Sequence, residues 1–175
     1  KVYACDIAKG PLSIAKDHIR RFGYEHEIQT ILSDGIEKVP NDTQGIIIAG
    51  MGGKTAIHIL ESELEKAKSY QQIILQVNRG YEELRKWLFE HGFLIQEEWV
   101  VQERKFYYLS ISTFYTGKTE YQEEDIFIGP YLKMKEDPIA IRWFCREIKK
   151  AEKILPLTQD EKFKKRIDYY KEYIR

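Results

Sequence analysis

The stretch "IIIAGMGG", residues 46–53, decides the fold that the rest of the chain must share. Its three β-branched residues predict a buried strand, and its glycines predict a tight loop ahead of a helix. Strands that end in a glycine loop at the start of a helix often lie against a nucleotide. The stretch therefore predicts a nucleotide site, and the spacing of its glycines indicates which part of the nucleotide lies there.

That spacing disfavours phosphate binding. A Walker loop has the pattern GxxxxGK[ST], and "GMGGKT" is too short for it. The stretch also lacks the GxGxxG pattern of dinucleotide loops. Small residues instead let a flat ring or a sulfonium group approach the backbone closely.

Strands and helices alternate on both sides of this stretch, which predicts βαβ units and a parallel sheet. The strands are expected over 2–6, 27–32, 46–49 and 72–76. The helices are expected over 11–22, 36–39, 54–68 and 81–91, the first with Pro11 in its opening turn.

Two further strands, 94–101 and 106–113, are separated by only four residues. A link this short forces an antiparallel hairpin, because a parallel return needs a long crossover. A parallel sheet that ends in such a hairpin is typical of class I methyltransferases. Dehydrogenase-type domains continue in parallel, so a nicotinamide-dependent oxidoreductase is disfavoured.

The composition changes after Gly117. Residues 118–125 are polar and acidic, and apolar residues then recur at helical spacing over 141–155 and 163–174. Two amphipathic helices joined by a short break are expected to pack as an antiparallel hairpin. We therefore predict an α/β domain over 1–117 and a small helical-hairpin domain over 118–175.

Composition sets broad limits on function. Of the 175 residues, 43% are hydrophobic and 32% are charged, as in ordinary globular proteins, and no apolar run is long enough to cross a bilayer. Cys5 and Cys145 lack any CxxC or histidine spacing, which predicts packing roles in a reducing cytoplasm and no zinc site. The four histidines share no ligand spacing either, so no metal is expected.

Five short motifs, taken in their order along the chain, resemble those of a known family. They are "DIAKGPLSIAKDHI", "LSDG", "IIIAGMGG", "ILQVN" and "IGPYL". Together they resemble the bacterial tRNA (adenine-N1)-methyltransferases that modify the adenine at tRNA position 22, and the resemblance covers essentially the whole chain. It implies a class I methyltransferase domain with a small helical, coiled-coil-like C-terminal domain. It also implies S-adenosyl-L-methionine as cofactor, tRNA as partner and a cytoplasmic location.

One departure from the family pattern concerns the sheet. The family carries its glycine-containing cofactor loop on a strand that would precede Lys1, and that motif is absent here. In the family's strand order, that strand lies between the strands predicted at 2–6 and 46–49. A sheet without its middle strand would expose unpaired backbone groups on these two flanking strands. Either the sequence is a fragment of a longer protein or the fold closes the gap, and we favour a truncated form.

The resemblance implies a set of cofactor-binding residues at the strand ends. Asp6 would accept hydrogen bonds from the ribose hydroxyls of the cofactor, and Ile7 would lie against its adenine ring. Asp34, in a turn with Gly35, would accept from the exocyclic amine of that adenine. The backbone beneath the methyl donor would come from Ala49 and Gly50. The residues themselves leave open a helix-capping role for Asp6 and a bare turn at Asp34.

The resemblance also places the substrate base at the next strand end. Gln76 and Asn78 would hydrogen-bond the edge of an extruded base through their amides. The family has Gln-Pro-Asn here, and Val77 replaces the proline, which loosens the backbone restraint. Capping of the loop by the two amides is the alternative interpretation. The expected catalytic residues are Gly50, Met51, Gly52 and Asn78.

A basic group near the end of the sequence is a candidate tRNA contact. Residues 139–175 carry eleven basic and six acidic side chains, although the whole chain has a net charge of zero. Lys164, Lys165 and Arg166 precede tyrosines at 169, 170 and 173, a pattern that suits charge contact and base stacking. The polar back of a helical hairpin is the alternative.

The favoured function is S-adenosylmethionine-dependent methyl transfer to N1 of an adenine in tRNA. That nitrogen already has a lone pair, so catalysis would consist mainly of positioning and electrostatics. The alternative is a tRNA-binding fragment or paralogue without cofactor binding or catalysis.

Overall fold

The computed structural model describes residues 1–132, 136–158 and 160–175. The glycine stretch lies where the third strand meets the second helix, within an alternating series of strands and helices. The described residues contain six strands: β1 (Val2–Asp6), β2 (Ile28–Leu32), β3 (Gly45–Met51), β4 (Gln72–Val77), β5 (Phe93–Glu103) and β6 (Phe106–Tyr115). The described helices are α1 (Lys9–Arg21), α2 (Gly53–Ser62), α3 (Leu64–Ser69), α4 (Tyr81–Glu90), α5 (Glu123–Phe127), α6 (Pro138–Ile154) and α7 (Glu161–Tyr173), with a 3₁₀ turn at Leu155–Leu157.

Four of the strands form one sheet in the order β3-β4-β6-β5. The β3–β4 pair is parallel, whereas β6 runs antiparallel to both β4 and β5. Alternate residues of β4 are buried, and Ile73, Leu75 and Val77 place its apolar face in the core. The predicted parallel sheet with a terminal antiparallel hairpin is confirmed.

The strands β1 and β2 form a separate parallel pair, in which Val2 lies opposite Ile28 and Asp6 opposite Leu32. Among the described residues, no ladder joins β1 to β3. The gap between these two flanking strands is therefore not closed by direct pairing. The ends of β1 and β2 are connected to the larger sheet through the loop that follows β2.

Two predicted helices differ from the structure. Residues 36–39 form a turn, because Ile36 and Val39 point into the core and the carbonyls of Glu37 and Val39 accept from Lys66 Nζ. Four residues are also too few to support an isolated helix. The helix predicted over 54–68 breaks at Glu63, where φ is −131° and ψ is 52°.

The C-terminal helices pack on the α/β part of the chain. The Phe144 and Tyr170 rings join α6 to α7 in an edge contact with centroids 4.7 Å apart. Both residues belong to the same buried cluster as Leu88 and Ile111, which precede residue 117. The helical C-terminal region is confirmed, whereas the domain boundary at 117 and coiled-coil pairing stay predictions.

Two ion pairs reinforce this packing. Arg85 Nε of α4 lies 2.7 Å from Glu98 Oε1 of β5, and both side chains are fully buried. Arg85 also donates to the carbonyl of Phe127 at 2.9 Å. In the first turn of α4, Glu82 accepts two hydrogen bonds from Arg166 of α7. No described helix is long and apolar enough to span a membrane.

Candidate active site

Gly50 forms a bulge at the end of β3. Ala49 lies opposite Gln76 and Met51 opposite Val77, so Gly50 has no partner in the ladder. Its φ of +77° is a conformation that glycine adopts without strain. The N–H of Gly50 donates to Gln76 Oε1 at 2.8 Å, and its carbonyl accepts from Asn78 Nδ2 at 3.0 Å. Two amides therefore fix one peptide group that the sheet leaves out.

The two amides are also hydrogen-bonded to each other. Gln76 Nε2 donates to Asn78 Oδ1 at 3.1 Å. The orientation of each amide follows from Gly50, because its N–H requires an oxygen and its carbonyl requires a nitrogen. The loop-capping interpretation thus describes the observed contacts of Gln76 and Asn78. Each amide nitrogen still has one hydrogen available for a base edge, so the base-binding role stays a prediction.

The later glycines of the stretch bring two loops together. Gly53 N donates to the carbonyl of Arg79 at 2.8 Å, and a Cβ on Gly53 would overlap the carbonyl oxygen of Gly80. Asn78 N donates to the carbonyl of Met51, also at 2.8 Å. Close approach was expected toward a ligand, but at Gly53 it is toward the chain itself. At Gly50, by contrast, a Cβ would meet no atom within 4 Å, so this residue faces open space.

Asp6 forms a turn ahead of α1. Its Oδ1 accepts from the N–H of Ala8 at 2.8 Å, but Ala8 itself is the N-cap of α1 and the helix has no side-chain cap, so the helix-capping interpretation of Asp6 is wrong. The neighbouring Ile7 side chain is 67% exposed and packs against little of the chain. Cofactor binding by Asp6 and Ile7 stays a prediction that these contacts permit.

Asp34 follows the end of β2, two residues beyond Leu32, which lies opposite Asp6. Ser33 N donates to the carbonyl of Asp6 at 3.1 Å, which holds the two strand ends together. The Asp34 side chain is exposed, and Gly35 lies directly against Ile59 of α2. The turn is thus packed on the larger sheet's helices.

Lys66 of α3 completes this connection. Its Nζ donates to the carbonyls of Glu37, at 3.1 Å, and Val39. The loop after β2 is therefore anchored to the helices that follow β3. The carboxyl ends of parallel strands form the ligand-binding edge of α/β sheets, and Asp34 and the glycine loop each follow such an end.

The three basic residues of α7 differ in their surroundings. Arg166 is engaged with Glu82, a buried carboxylate that the sequence did not single out. Lys165 Nζ lies 2.5 Å from Glu123, whereas Lys164 is exposed. Arg166 is therefore used within the protein, and the alternative of a packed helix back describes it better than tRNA contact.

A cleft beside Asn78 was not predicted. It has a volume of about 350 Å³ and lies between the β5–β6 hairpin, the start of α4 and helix α6. We call it the aromatic cleft. Its principal lining residues are Asn78, Tyr81, Tyr107, Trp143, Arg146 and Lys150. The sequence signal was the aromatic run "FYY" at 106–108, which lies in the strand predicted over 106–113.

The hydroxyl of Tyr81 belongs to a polar group in this cleft. It donates to Glu147 Oε2 at 3.3 Å, and burial together with the Glu147 charge raises the pKa of Tyr81. Tyr81 therefore stays protonated at neutral pH. Among the described residues, no group of three or more histidine, cysteine, aspartate or glutamate side chains could hold a metal ion.

The sheet order, the terminal hairpin and the glycine loop at the carboxyl edge define a class I methyltransferase fold. More particularly, the sequence model of the tRNA (adenine(22)-N(1))-methyltransferase family, TrmK, matches residues 1–175, and the chain belongs to that family.

Named relatives agree with this assignment. The tRNA (adenine(22)-N(1))-methyltransferase of Bacillus subtilis is 26% identical over 157 residues, which are 86% of this chain and 66% of that protein. The chain thus spans less than two thirds of the length of this curated relative. The structure of Streptococcus pneumoniae Sp1610 with S-adenosyl-L-methionine is 28% identical, with a TM-score of 0.89 over 99% of this chain and 80% of its own. Mycoplasma capricolum TrmK with S-adenosyl-homocysteine is 29% identical, with a TM-score of 0.80 over 98% and 79% of the two chains.

Proposed function

We propose that the chain carries the transfer site of an S-adenosylmethionine-dependent methyltransferase that modifies N1 of an adenine in tRNA, at position 22. The observation that carries the proposal is the Gly50 bulge, whose peptide group is fixed by Gln76 and Asn78 at the carboxyl edge of the sheet. Family membership supports the substrate and its position.

The residues at this edge fit the cofactor. Asp6 uses one carboxylate oxygen for Ala8, which leaves the other for ribose hydroxyls. The exposed Ile7 provides an apolar surface for an adenine ring, and the exposed Asp34 provides an acceptor for its amine. Gly50 offers open space at the end of β3, since a Cβ there would meet no atom within 4 Å. The relatives solved with S-adenosyl-L-methionine and S-adenosyl-homocysteine support this assignment.

The chain's own groups would then position the base. S-adenosylmethionine supplies an electrophilic methyl group when bound, and transfer to N1 leaves a thioether and a cationic ring. Asn78 and Gln76 each have one amide hydrogen left for the edge of the adenine. The carbonyls near Met51 and Gly50 are acceptors that favour positive charge on the methylated ring. Since N1 needs no deprotonation, rigid placement would supply most of the rate.

The tRNA would extend from this edge onto the helical region. Lys164 and Lys165 remain the proposed contacts on α7. Lys164 is an exposed residue, and half of the Lys165 side chain is exposed. Arg166 is left out, since its guanidinium already pairs with Glu82.

The proposal is tested by incubating the protein with unmodified tRNA and S-adenosylmethionine. We expect N1-methyladenine, which blocks reverse transcriptase, to produce a stop at position 22. A matched tRNA with guanine at that position should give no stop. Product without a D-arm stop would show that the proposed target is wrong.

A binding measurement distinguishes the proposed function from the alternative, a tRNA-binding protein without cofactor binding or catalysis. Calorimetry should detect heat on addition of S-adenosylmethionine to the wild type and less heat for Asp6→Ala. Binding of tRNA without any heat from the cofactor would favour the alternative.

A further inference from the structure

We infer that the aromatic cleft binds the nucleotide next to the reactive adenine, an inference that rests on the proposed function. The cleft and the Gly50 bulge share Asn78. Gly50 and Met51 do not line the cleft among the described residues. An occupant of the cleft can therefore contact Asn78 without touching the Gly50 bulge, as the neighbouring nucleotide of one RNA strand would.

The walls of the cleft suit a nucleobase. The rings of Tyr81 and Trp143 meet edge to face, with centroids 5.2 Å apart and an interplanar angle of 73°. Trp143 is only 2% exposed and supports this wall, whereas Tyr107 is partly exposed and offers its ring to a ligand. Bases stack on such rings with little sequence preference. A volume near 350 Å³ lies within the range of small-ligand sites.

The charges of the cleft suit a phosphate. The guanidinium of Arg146 lies 5.6 Å from the centroid of Tyr107 and donates through Nη1 to the carbonyl of Lys105. Its other N–H groups remain available in the planar fork that matches phosphate oxygens. Lys150 has a half-exposed side chain paired with Glu147. Two cations thus face one carboxylate.

Helix α6 extends this positive surface beyond the cleft. Arg142, Arg146, Lys149, Lys150 and Lys153 recur at spacings of three and four, which places them on one face of the helix. Such a stripe alone is an ordinary solvated face. Its overlap, through Arg146 and Lys150, with an aromatic cleft that shares Asn78 with the Gly50 bulge is what indicates an RNA track.

A double-mutant cycle between protein and RNA tests the base contact. The RNAs are D-arm stem-loops, either intact or with one abasic nucleotide on the 5′ or the 3′ side of the target adenine. Fluorescence anisotropy gives their Kd for the wild type, Tyr107→Leu and Tyr107→Phe. We expect Tyr107→Leu to weaken binding of the intact RNA about tenfold, and Tyr107→Phe to bind like the wild type, because the ring is retained.

An abasic site on one side of the adenine should weaken wild-type binding by a similar factor and cause no further loss in Tyr107→Leu. The opposite outcome is that the losses in affinity from Tyr107→Leu and from the abasic nucleotide multiply, both for the 5′ and for the 3′ abasic RNA. In that case the cleft holds neither neighbouring nucleotide and the inference is overturned. Tyr24→Leu, at an exposed tyrosine after α1, is the matched control. Melting temperatures of all variants show whether each remains folded.

Arg146→Gln tests the phosphate contact without altering the aromatic walls. We expect the slope of log K against log salt to fall by about one charge, whereas Arg20→Gln, on an exposed residue of α1, should leave it unchanged. An unchanged slope for Arg146→Gln would overturn the phosphate assignment.

The same samples are assayed for N1-methyladenine. If the RNA is methylated but the losses in affinity multiply in the double-mutant cycle, the cleft assignment is wrong and the proposed function stands. RNA binding with coupled losses but no methylation would remove the proposed function alone. Absence of RNA binding would overturn both.

Discussion

The amides of Gln76 and Asn78 show how far single residues could be predicted. Their chemistry and their place at a strand end were evident from the sequence. Their partner was not, because it exists only through the register of β3 against β4, where Gly50 is left without a ladder partner. Pairing register is a property of two strands together, and no local pattern in either strand specifies it.

Gly53→Ala is predicted to be strongly destabilising. The new Cβ would overlap the backbone carbonyl of Gly80, which cannot move without displacing the start of α4. We expect a loss of about 1–3 kcal/mol in the free energy of unfolding, measured in urea. The matched control is Gly52→Ala, where the nearest atom would be Arg79 Nε at an ordinary 3.6 Å. Equal losses for both variants would show that the contact with Gly80 is unimportant.

Gln76→Leu is predicted to loosen the Gly50 bulge. The N–H of Gly50 loses its acceptor and Asn78 loses a donor, at a cost of about 1 kcal/mol in the free energy of unfolding. Gln76→Glu keeps the acceptor and should lose less. Urea denaturation checks the order, and the reverse order would contradict the proposed hydrogen-bond directions.

At the scale of elements, the β5–β6 hairpin and the parallel βαβ units could be predicted directly from the sequence. The four-residue link between β5 and β6 left only an antiparallel return. The helix break at Glu63 was not predictable, because the apolar spacing continues through it. In the structure, α2 ends at Ser62, whose Oγ donates to the carbonyl of Ile59. Such a hydrogen bond from a side chain competes with continuation of the helix.

The buried pair of Arg85 and Glu98 is predicted to hold α4, β5 and α5 in position. Glu98→Ala leaves a fully buried guanidinium without its carboxylate, and we expect a loss of about 3–5 kcal/mol in the free energy of unfolding. The double variant Arg85→Met with Glu98→Leu should recover much of that loss. Chemical denaturation of both variants measures the difference.

Glu103→Ala, an exposed residue of the same strand, is the control and should change the free energy of unfolding by less than about 0.5 kcal/mol. A similar effect for Glu98→Ala would mean that the buried pair contributes little.

For the whole molecule, the attachment of α7 to α4 was beyond sequence reasoning. Glu82 and Arg166 are 84 residues apart, and each looks like an ordinary charged helix residue in its local pattern. Only the folded arrangement shows that Glu82 is 1% exposed and therefore requires a cation. The composition that suggested an RNA-binding group at 164–166 thus partly serves the fold.

Arg166→Leu is predicted to destabilise the protein, because it leaves Glu82 with Lys162 as its remaining partner at 3.2 Å. We expect a loss of about 2–4 kcal/mol, and little change for the exposed Lys164→Leu. Thermal melting and tRNA binding are measured together. Reduced tRNA affinity in a fully stable Arg166→Leu protein would instead support direct RNA contact.

The contact between Glu83 and Lys162 is predicted to depend on pH. Partial burial raises the pKa of Glu83, but the hydrogen bond from Lys162 outweighs it and holds that pKa below the ordinary 4.5. The unfolded chain therefore takes up a proton first as the pH falls, so the stabilisation is present above the ordinary pKa and lost below it.

We expect Glu83→Gln to lower the melting temperature at about pH 7 and the difference from the wild type to disappear near pH 3. Glu61→Gln, at an exposed residue of α2, should show little difference at either pH. A constant difference for Glu83→Gln would rule out the titration of this contact.

The Glu82–Arg166 pair also has a consequence for biosynthesis. A nascent chain that has not yet reached residue 166 contains a carboxylate on α4 without its principal partner, together with the core surface that Ile167 and Tyr170 later cover. Folding of the α/β part on the ribosome therefore cannot be completed before α7 emerges. Until then the partly made chain exposes apolar surface, which is the kind of substrate that ribosome-associated chaperones bind.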